Sequence, residues 1–169
     1  MYVAGQSFTR ARFTQPLNGG KAVLIGIELG YQQCFDFLPG VLSGLGVGGT
    51  ATLSDSNLDG TAFPEQSSLL GGAQLFYQKG PVDATLAYHH TGRALLAPGG
   101  TRYEDQFNDD LRRLDAKVAV TLAEQFQVFA EAANLTDEPT RQFQAGRRDF
   151  VIQNERYGRS TAIGASYRW

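Results

Sequence analysis

The chain has 169 residues, with 15 basic and 17 acidic side chains and a formal charge of −2. That length fits one domain over 1–169, and that charge balance gives no basis for a nucleic-acid partner. The single cysteine, Cys34, excludes an internal disulfide, and no run reaches the roughly 18 apolar residues that a membrane-crossing helix needs.

The opening stretch, "MYVAGQSFTR", lacks a basic segment followed by an apolar one, so it does not read as a secretory signal peptide. A first strand is expected over 2–13. Its pattern is weak, because Arg10 and Arg12 share a face with Phe8.

The second strand, 21–35, sets the rule for the rest. Val23, Ile25, Ile27, Leu29 and Tyr31 fall on one face, and Ala22, Leu24, Gly26, Glu28 and Gly30 on the other, with Leu24 the exception to its small or charged character. This is the period of two that marks a strand. The same alternation predicts strands over 44–55 (Leu45, Val47, Ala51, Leu53), 67–78 and 82–94 (Val82, Ala84, Leu86, Tyr88).

Residues 111–134 admit two readings. Leu111, Leu114, Val118, Leu122, Phe126 and Phe129 would make a helical stripe. Against it, residues 113–121 alternate almost without fault, and Ala123-Glu124-Gln125 falls where a tight turn belongs. Two strands, 111–122 and 125–134, are therefore expected. The last strand, 156–169, carries Tyr157, Ile163, Ala165, Tyr167 and Trp169 on one face.

The connections alternate in length. Residues 78–82 and 123–125 are short turns, and 37–44 is of medium length. Residues 13–20, 54–66, 95–110 and 135–155 are long, polar and rich in turn formers. Short turns at one end and long loops at the other describe an all-β, antiparallel, up-and-down transmembrane barrel of about eight strands. It would be part of a larger barrel or closed as a small one. A mean hydropathy of −0.26 is compatible with this, because only alternate residues of such strands meet lipid. Tyr31, Phe35, Tyr77, Phe126, Tyr167 and Trp169 lie near the short-turn ends, as an aromatic girdle at a membrane surface requires. Without a signal peptide, an outer-membrane destination makes the chain a portion of a longer protein.

Candidate sites are few. Glu28, Arg113, Asp115, Lys117, Glu131 and Arg168 carry charge on the face opposite the apolar one and are expected to face the lumen. The bland account of them is wall residues paired with one another. Gly26, Gly30, Gly46, Gly48, Gly72 and Gly164 would leave that lumen face poor in bulk. His89 and His90 are adjacent, so on a strand they point to opposite faces and cannot share a metal. Arg147, Arg148 and Asp149 belong to an outer loop, where ligand recognition commonly sits. Cys34 has no activating neighbour in the sequence, and Asn134-Leu135-Thr136 is read as a turn leaving a strand. No phosphate loop, nucleophile elbow or metal-ligand spacing is present, and no cofactor or metal is implied.

The segments "VFAEAANLTDEPTRQF" and "YGRSTAIGASYRW" closely resemble the C-terminal end of TonB-dependent outer-membrane receptors. "NGGKAVLIGIELG" resembles a segment several strands upstream, on Asn18, Gly20, Ala22, Gly26 and Glu28. The resemblance implies a bacterial outer-membrane location and uptake of a scarce ligand such as a siderophore, cobalamin or an oligosaccharide. It implies a barrel of about 22 strands around a plug; the plug has no counterpart here, so this portion is not expected to transport alone. It also implies that Ile163, Ala165, Tyr167 and Trp169 are read by the barrel-assembly machinery. The partners would be that machinery, outer-membrane lipid, and the remainder of the barrel with its plug. The alternatives are a self-contained eight-stranded outer-membrane barrel and a soluble lipocalin-like barrel. A small lipid-modifying barrel with His89 or His90 as base and a serine nucleophile is the enzyme alternative; the expected role is not enzymatic.

Overall fold

A computed structural model describes residues 20–58 and 62–169, and the backbone of 2–3 and 6–7. Thirteen strands occur in these residues: β1 Tyr2–Val3, β2 Gln6–Ser7, β3 Ala22–Cys34, β4 Leu45–Leu58, β5 Leu69–Lys79, β6 Val82–Thr91, β7 Ala94–Ala97, β8 Gln106–Asn108, β9 Leu111–Ala123, β10 Phe126–Ala133, β11 Thr140–Gln144, β12 Arg147–Glu155 and β13 Ser160–Tyr167. One 3-10 turn, Gly40–Gly44, precedes β4. No described helix is long and apolar enough to cross a membrane. The fold is all-β and antiparallel.

Seven strands form the main sheet, in the order β13-β10-β9-β6-β5-β4-β3. Each strand pairs with the next long strand along the chain, so the sheet runs up and down. The strands expected at 21–35, 44–55, 67–78, 82–94, 111–122, 125–134 and 156–169 are all present, with ends shifted by a few residues. Alternation prevails over the helical stripe at 111–134: Glu124 and Gln125 make the turn, and Ala123 pairs with Phe126. The turn from β5 to β6 is equally tight. Gly80 adopts φ +58°, which only glycine takes up freely, and Pro81 follows it.

Two expectations are corrected, and of the two barrel readings the closed small one is not found among the described residues. The strand over 2–13 does not form in residues 2–7: β1 and β2 pair antiparallel with each other, Tyr2 opposite Ser7. The remainder of that span lies outside the described residues. The closed barrel is not found: among the described residues β3 pairs only with β4, and β13 only with β10, leaving two free edges. The segments 95–110 and 135–155 are not structureless loops. They carry a four-stranded sheet, β12-β11-β8-β7.

This outer sheet is assembled from two excursions. β7 and β8 lie between β6 and β9 in the chain, and β11 and β12 lie between β10 and β13. They meet where β8 pairs with β11, Phe107 opposite Phe143. The two rings stack at 5.5 Å, and Phe143 is 1 % exposed, the most deeply buried large side chain described. Leu95 and Ala94 are buried with it.

Candidate functional site

Register fixes which side chains share a face of the main sheet. Ile27 lies opposite Leu53, and Leu53 opposite Leu69. Leu75 faces Leu86, which faces Ala116. Val120 faces Val128, which faces Ala165. One apolar surface therefore runs unbroken across seven strands, and it is exposed: Ile25 is 71 % exposed, Leu29 63 % and Ile163 88 %. A water-facing sheet would place polar residues there.

Tyr77 is opposite Leu45 and Phe126 opposite Tyr167, both at the short-turn end of the apolar face. Tyr31 lies three residues before the end of β3. Phe35 lies just past β3; its amide continues the ladder to the Leu45 carbonyl at 2.8 Å, and its ring meets Phe37 edge-on at 5.8 Å. Ile163, Ala165 and Tyr167 share the apolar face of β13, while Trp169 stands fully exposed beyond it. The Arg168 amide still donates to the Gln125 carbonyl, so pairing persists almost to the terminus.

The opposite face holds Glu28, Arg113, Asp115, Lys117 and Glu131, all on one side by register. Lys117 Nζ lies 2.8 Å from Glu131 Oε1 and 5.7 Å from the Phe129 ring centroid. Asp115 accepts the Asn134 amide at 2.8 Å. Lys117, Glu131 and Asp115 are thus engaged with their neighbours on the sheet. The glycines of this face are less empty than expected. A Cβ at Gly46 would run into the Phe76 ring, and one at Gly164 into Phe129; only around Gly30 does open space remain. An aromatic laid over a cross-strand glycine fills the gap and pins the register. His89 lies opposite Arg113 and His90 opposite Arg112, on opposite faces of β6.

The "NLTDEP" stretch is the turn leaving β10. Asn134 adopts φ +55°, a conformation that asparagine tolerates better than most residues. Its side-chain amide donates to the carbonyls of Glu138, at 3.3 Å, and Gly158, at 3.1 Å. Its Oδ1 accepts the Glu138 amide at 2.9 Å. One buried side chain thus fastens the exit of β10 to the approach of β13.

The long-loop end holds a group the sequence did not reveal. Asp109 and Asp110 form the two-residue link between β8, in the outer sheet, and β9, in the main sheet. Arg148 of β12 spans both: Nε lies 2.9 Å from Asp109 and Nη2 2.6 Å from Asp110. Arg141 reaches Asp109 at 3.5 Å, Arg112 reaches Asp110 at 3.4 Å, and the Arg93 amide donates to Asp110 at 2.9 Å. Burial works to raise the Asp110 pKa. The hydrogen bonds from Arg148 and the Arg93 amide, with the charges of Arg148 and Arg112, outweigh it and hold the carboxyl below its ordinary value. Arg147 instead pairs with Asp149 on its own strand and stacks over Phe150 at 4.4 Å. No sequence spacing could link Asp110 to Arg148, which are 38 residues apart.

Beside this group lies a cavity of about 710 Å³. Leu24, Ser54 and Leu70 line it from the charged and small-residue face of the main sheet; Asn108, Thr140 and Arg141 line it from the outer sheet and its link. The outer sheet is its roof. A second cavity, of about 400 Å³, lies lower on the same face, against Gly48, Thr50, Gly72, Gln74 and His89. The concave side of the main sheet is therefore the polar one.

No protein-family profile, curated protein or solved structure matches the chain.

Proposed function

We propose that the chain is the C-terminal barrel wall of a TonB-dependent outer-membrane receptor, lying in the bacterial outer membrane and serving uptake of a scarce ligand. The observation that carries this is the unbroken exposed apolar surface across seven antiparallel strands, edged with Tyr31, Tyr77, Phe126 and Tyr167 at the short-turn end. Lipid is the solvent that matches such a face, and a polar concave side matches a water-filled or plugged lumen. A lipocalin-like barrel would need the reverse arrangement, with its apolar side chains turned inward.

The free edges of β3 and β13 suit a sheet continued by other strands, since an unpaired edge in lipid leaves backbone groups without partners. In this reading the rest of the barrel joins there, and the assembly machinery reads Ile163, Ala165, Tyr167 and Trp169. The wall shapes and lines the path; it performs no catalysis and holds no cofactor.

The test is refolding in detergent micelles, followed by unheated and heated denaturing gels with far-UV circular dichroism. The expected result is strong β signal that forms only with detergent or vesicles. A monomeric, β-rich protein in plain buffer would sink the membrane reading. A heat-modifiable compact band from this chain alone would replace the receptor wall with a self-contained small barrel.

A further inference from the structure

We infer that the segment from Phe35 to Gly44, between β3 and β4, is a membrane-surface anchor. It is a preformed apolar turn that settles into the headgroup and upper-chain layer of a phospholipid membrane at the short-turn end. The inference rests on the reading of the main sheet as a lipid-facing wall.

Among the described residues, three turns join neighbouring main-sheet strands at that end, and they are not alike. Gly80-Pro81 and Glu124-Gln125 close β5 to β6 and β9 to β10 within two residues, without a large aliphatic or aromatic side chain. The third runs from Phe35 to Gly44, with Asp36 its one charged residue. Its apolar side chains are not folded inward: Phe37 is 72 % exposed, Val41 71 % and Leu42 48 %. Water gives such a cluster nothing to bury against. The interfacial layer of a bilayer takes apolar and aromatic side chains while polar groups beside them stay hydrated.

The turn is held on the apolar side of the sheet. Leu75, Tyr77 and Lys79 share that face of β5 by alternation. Lys79 Nζ donates to the Gly40 carbonyl and, at 2.6 Å, to Ser43 Oγ. Gly44 packs so closely that an added Cβ would come within 2.6 Å of the Lys79 stem and 3.0 Å of the Tyr77 ring. The Phe35 amide carries the ladder on to Leu45, whose partner is Tyr77, and the Phe37 ring meets Phe35 edge-on. The exposed cluster is thus continuous with the row Phe35, Leu45 and Tyr77 of the apolar face. The backbone is also folded on itself, the Leu38 amide donating to the Phe35 carbonyl at 3.0 Å and the Leu42 amide to the Pro39 carbonyl at 3.3 Å. Groups already paired cost less to bring toward lipid. Such an anchor fixes how deep the β3 edge sits.

The test places single tryptophans in the full chain, refolded into phospholipid vesicles, with Trp169→Phe removing the native one. Phe37→Trp probes the turn, Val118→Trp the apolar face of the sheet, and Tyr103→Trp an exposed site at the long-loop end. Emission is compared in vesicles with and without bromine on the lipid chains close to the glycerol. Phe37→Trp should fall to about half or less, as expected of a side chain set about 5–10 Å into the headgroup and chain boundary, and Tyr103→Trp should stay bright. Quenching of Val118→Trp with Phe37→Trp as bright as Tyr103→Trp would overturn the anchor and leave the wall standing. Quenching of Phe37→Trp alone would support attachment by the turn and count against the wall. Quenching of neither would remove both. If Phe37→Trp loses β signal, Val41→Trp replaces it and is read by the same outcomes.

Discussion

The two sheets of this protein place their large apolar residues in opposite ways. The main sheet turns most of them outward, with Ile163 at 88 % and Ile25 at 71 % exposure, and keeps its charge and most of its glycine and threonine on its concave side, where Phe76 and Phe129 lie over glycines. The outer sheet buries Phe143, at 1 % exposure, against Phe107, while its edge strand β12 shows arginine, aspartate and also Phe150, Val151 and Ile152. It therefore has a small interior of its own, which the main sheet lacks. Under the membrane reading proposed above, lipid covers the apolar face of the main sheet, and the two sheets would stand in different surroundings.

The sharpest way to break this comparison is an arginine on the convex face. Val118→Arg should cost about 2–4 kcal/mol in lipid vesicles, the penalty for a basic residue near the bilayer midplane. Thr52→Arg on the concave face should cost far less. Urea titrations of the two refolded variants would separate them, and equal losses would mean that the convex face does not meet lipid.

Truncating the outer core comes next. Phe143→Ala should cost about 3–5 kcal/mol, confined to β7, β8, β11 and β12. Hydrogen exchange would then rise in those strands and stay unchanged in β4, β5 and β6.

Asn134→Ala should cost about 2 kcal/mol, because it removes a buried clasp and puts alanine at positive φ. Asn134→Gly should recover part of that loss, since glycine accepts the backbone but not the clasp. Thermal unfolding of the three proteins gives the order. If alanine and glycine behave alike, the side-chain bonds dominate.

The smallest effect is on pH. Asp110 has a depressed pKa in the folded state, so its contribution is full above the ordinary aspartate value of about 3.8 and fades only as pH falls through the lower folded value. The outer sheet should therefore keep its exchange protection at pH 5, and Asp110→Asn should remove the acid-sensitive part below that. Protection that declines already between pH 7 and 5 would point to another group.

The same division explains what could be read from residue order. Main-sheet strands run for eight to fourteen residues with distinct faces, so alternation at Val23–Tyr31 or Leu114–Leu122 is unmistakable. The ambiguity at 111–134 arose because leucines and phenylalanines also fell at helical spacing; pairing with β6 and β13 decided it. The outer strands are three to nine residues long. Their register shifts at Phe143 and between Leu95 and Ala97 break any alternation. Phe107 and Phe143 gave no local sign that they would stack. The candidate site divides similarly. Glu28, Lys117 and Glu131 were legible from the alternation that puts them on one face. The Asp109–Asp110 elbow was not, because its partners on β11 and β12 come from the other excursion and meet it only through the pairing of β8 with β11.

Asn134 has a consequence for how such a chain can vary. It fastens the end of β10 to Gly158, so everything from 139 to 157 leaves and returns through one pinned point. The pairing of Phe126 with Tyr167 and of Ala130 with Ile163 does not depend on how long that detour is. A change of length at the hairpin tip, Ala145–Gly146, would leave the register of the last strand in place, whereas Phe143 and Arg148 tie the rest of the hairpin to β8 and its link. A single side chain thus marks the border between the paired last strand of the main sheet and the excursion that builds half of the outer sheet.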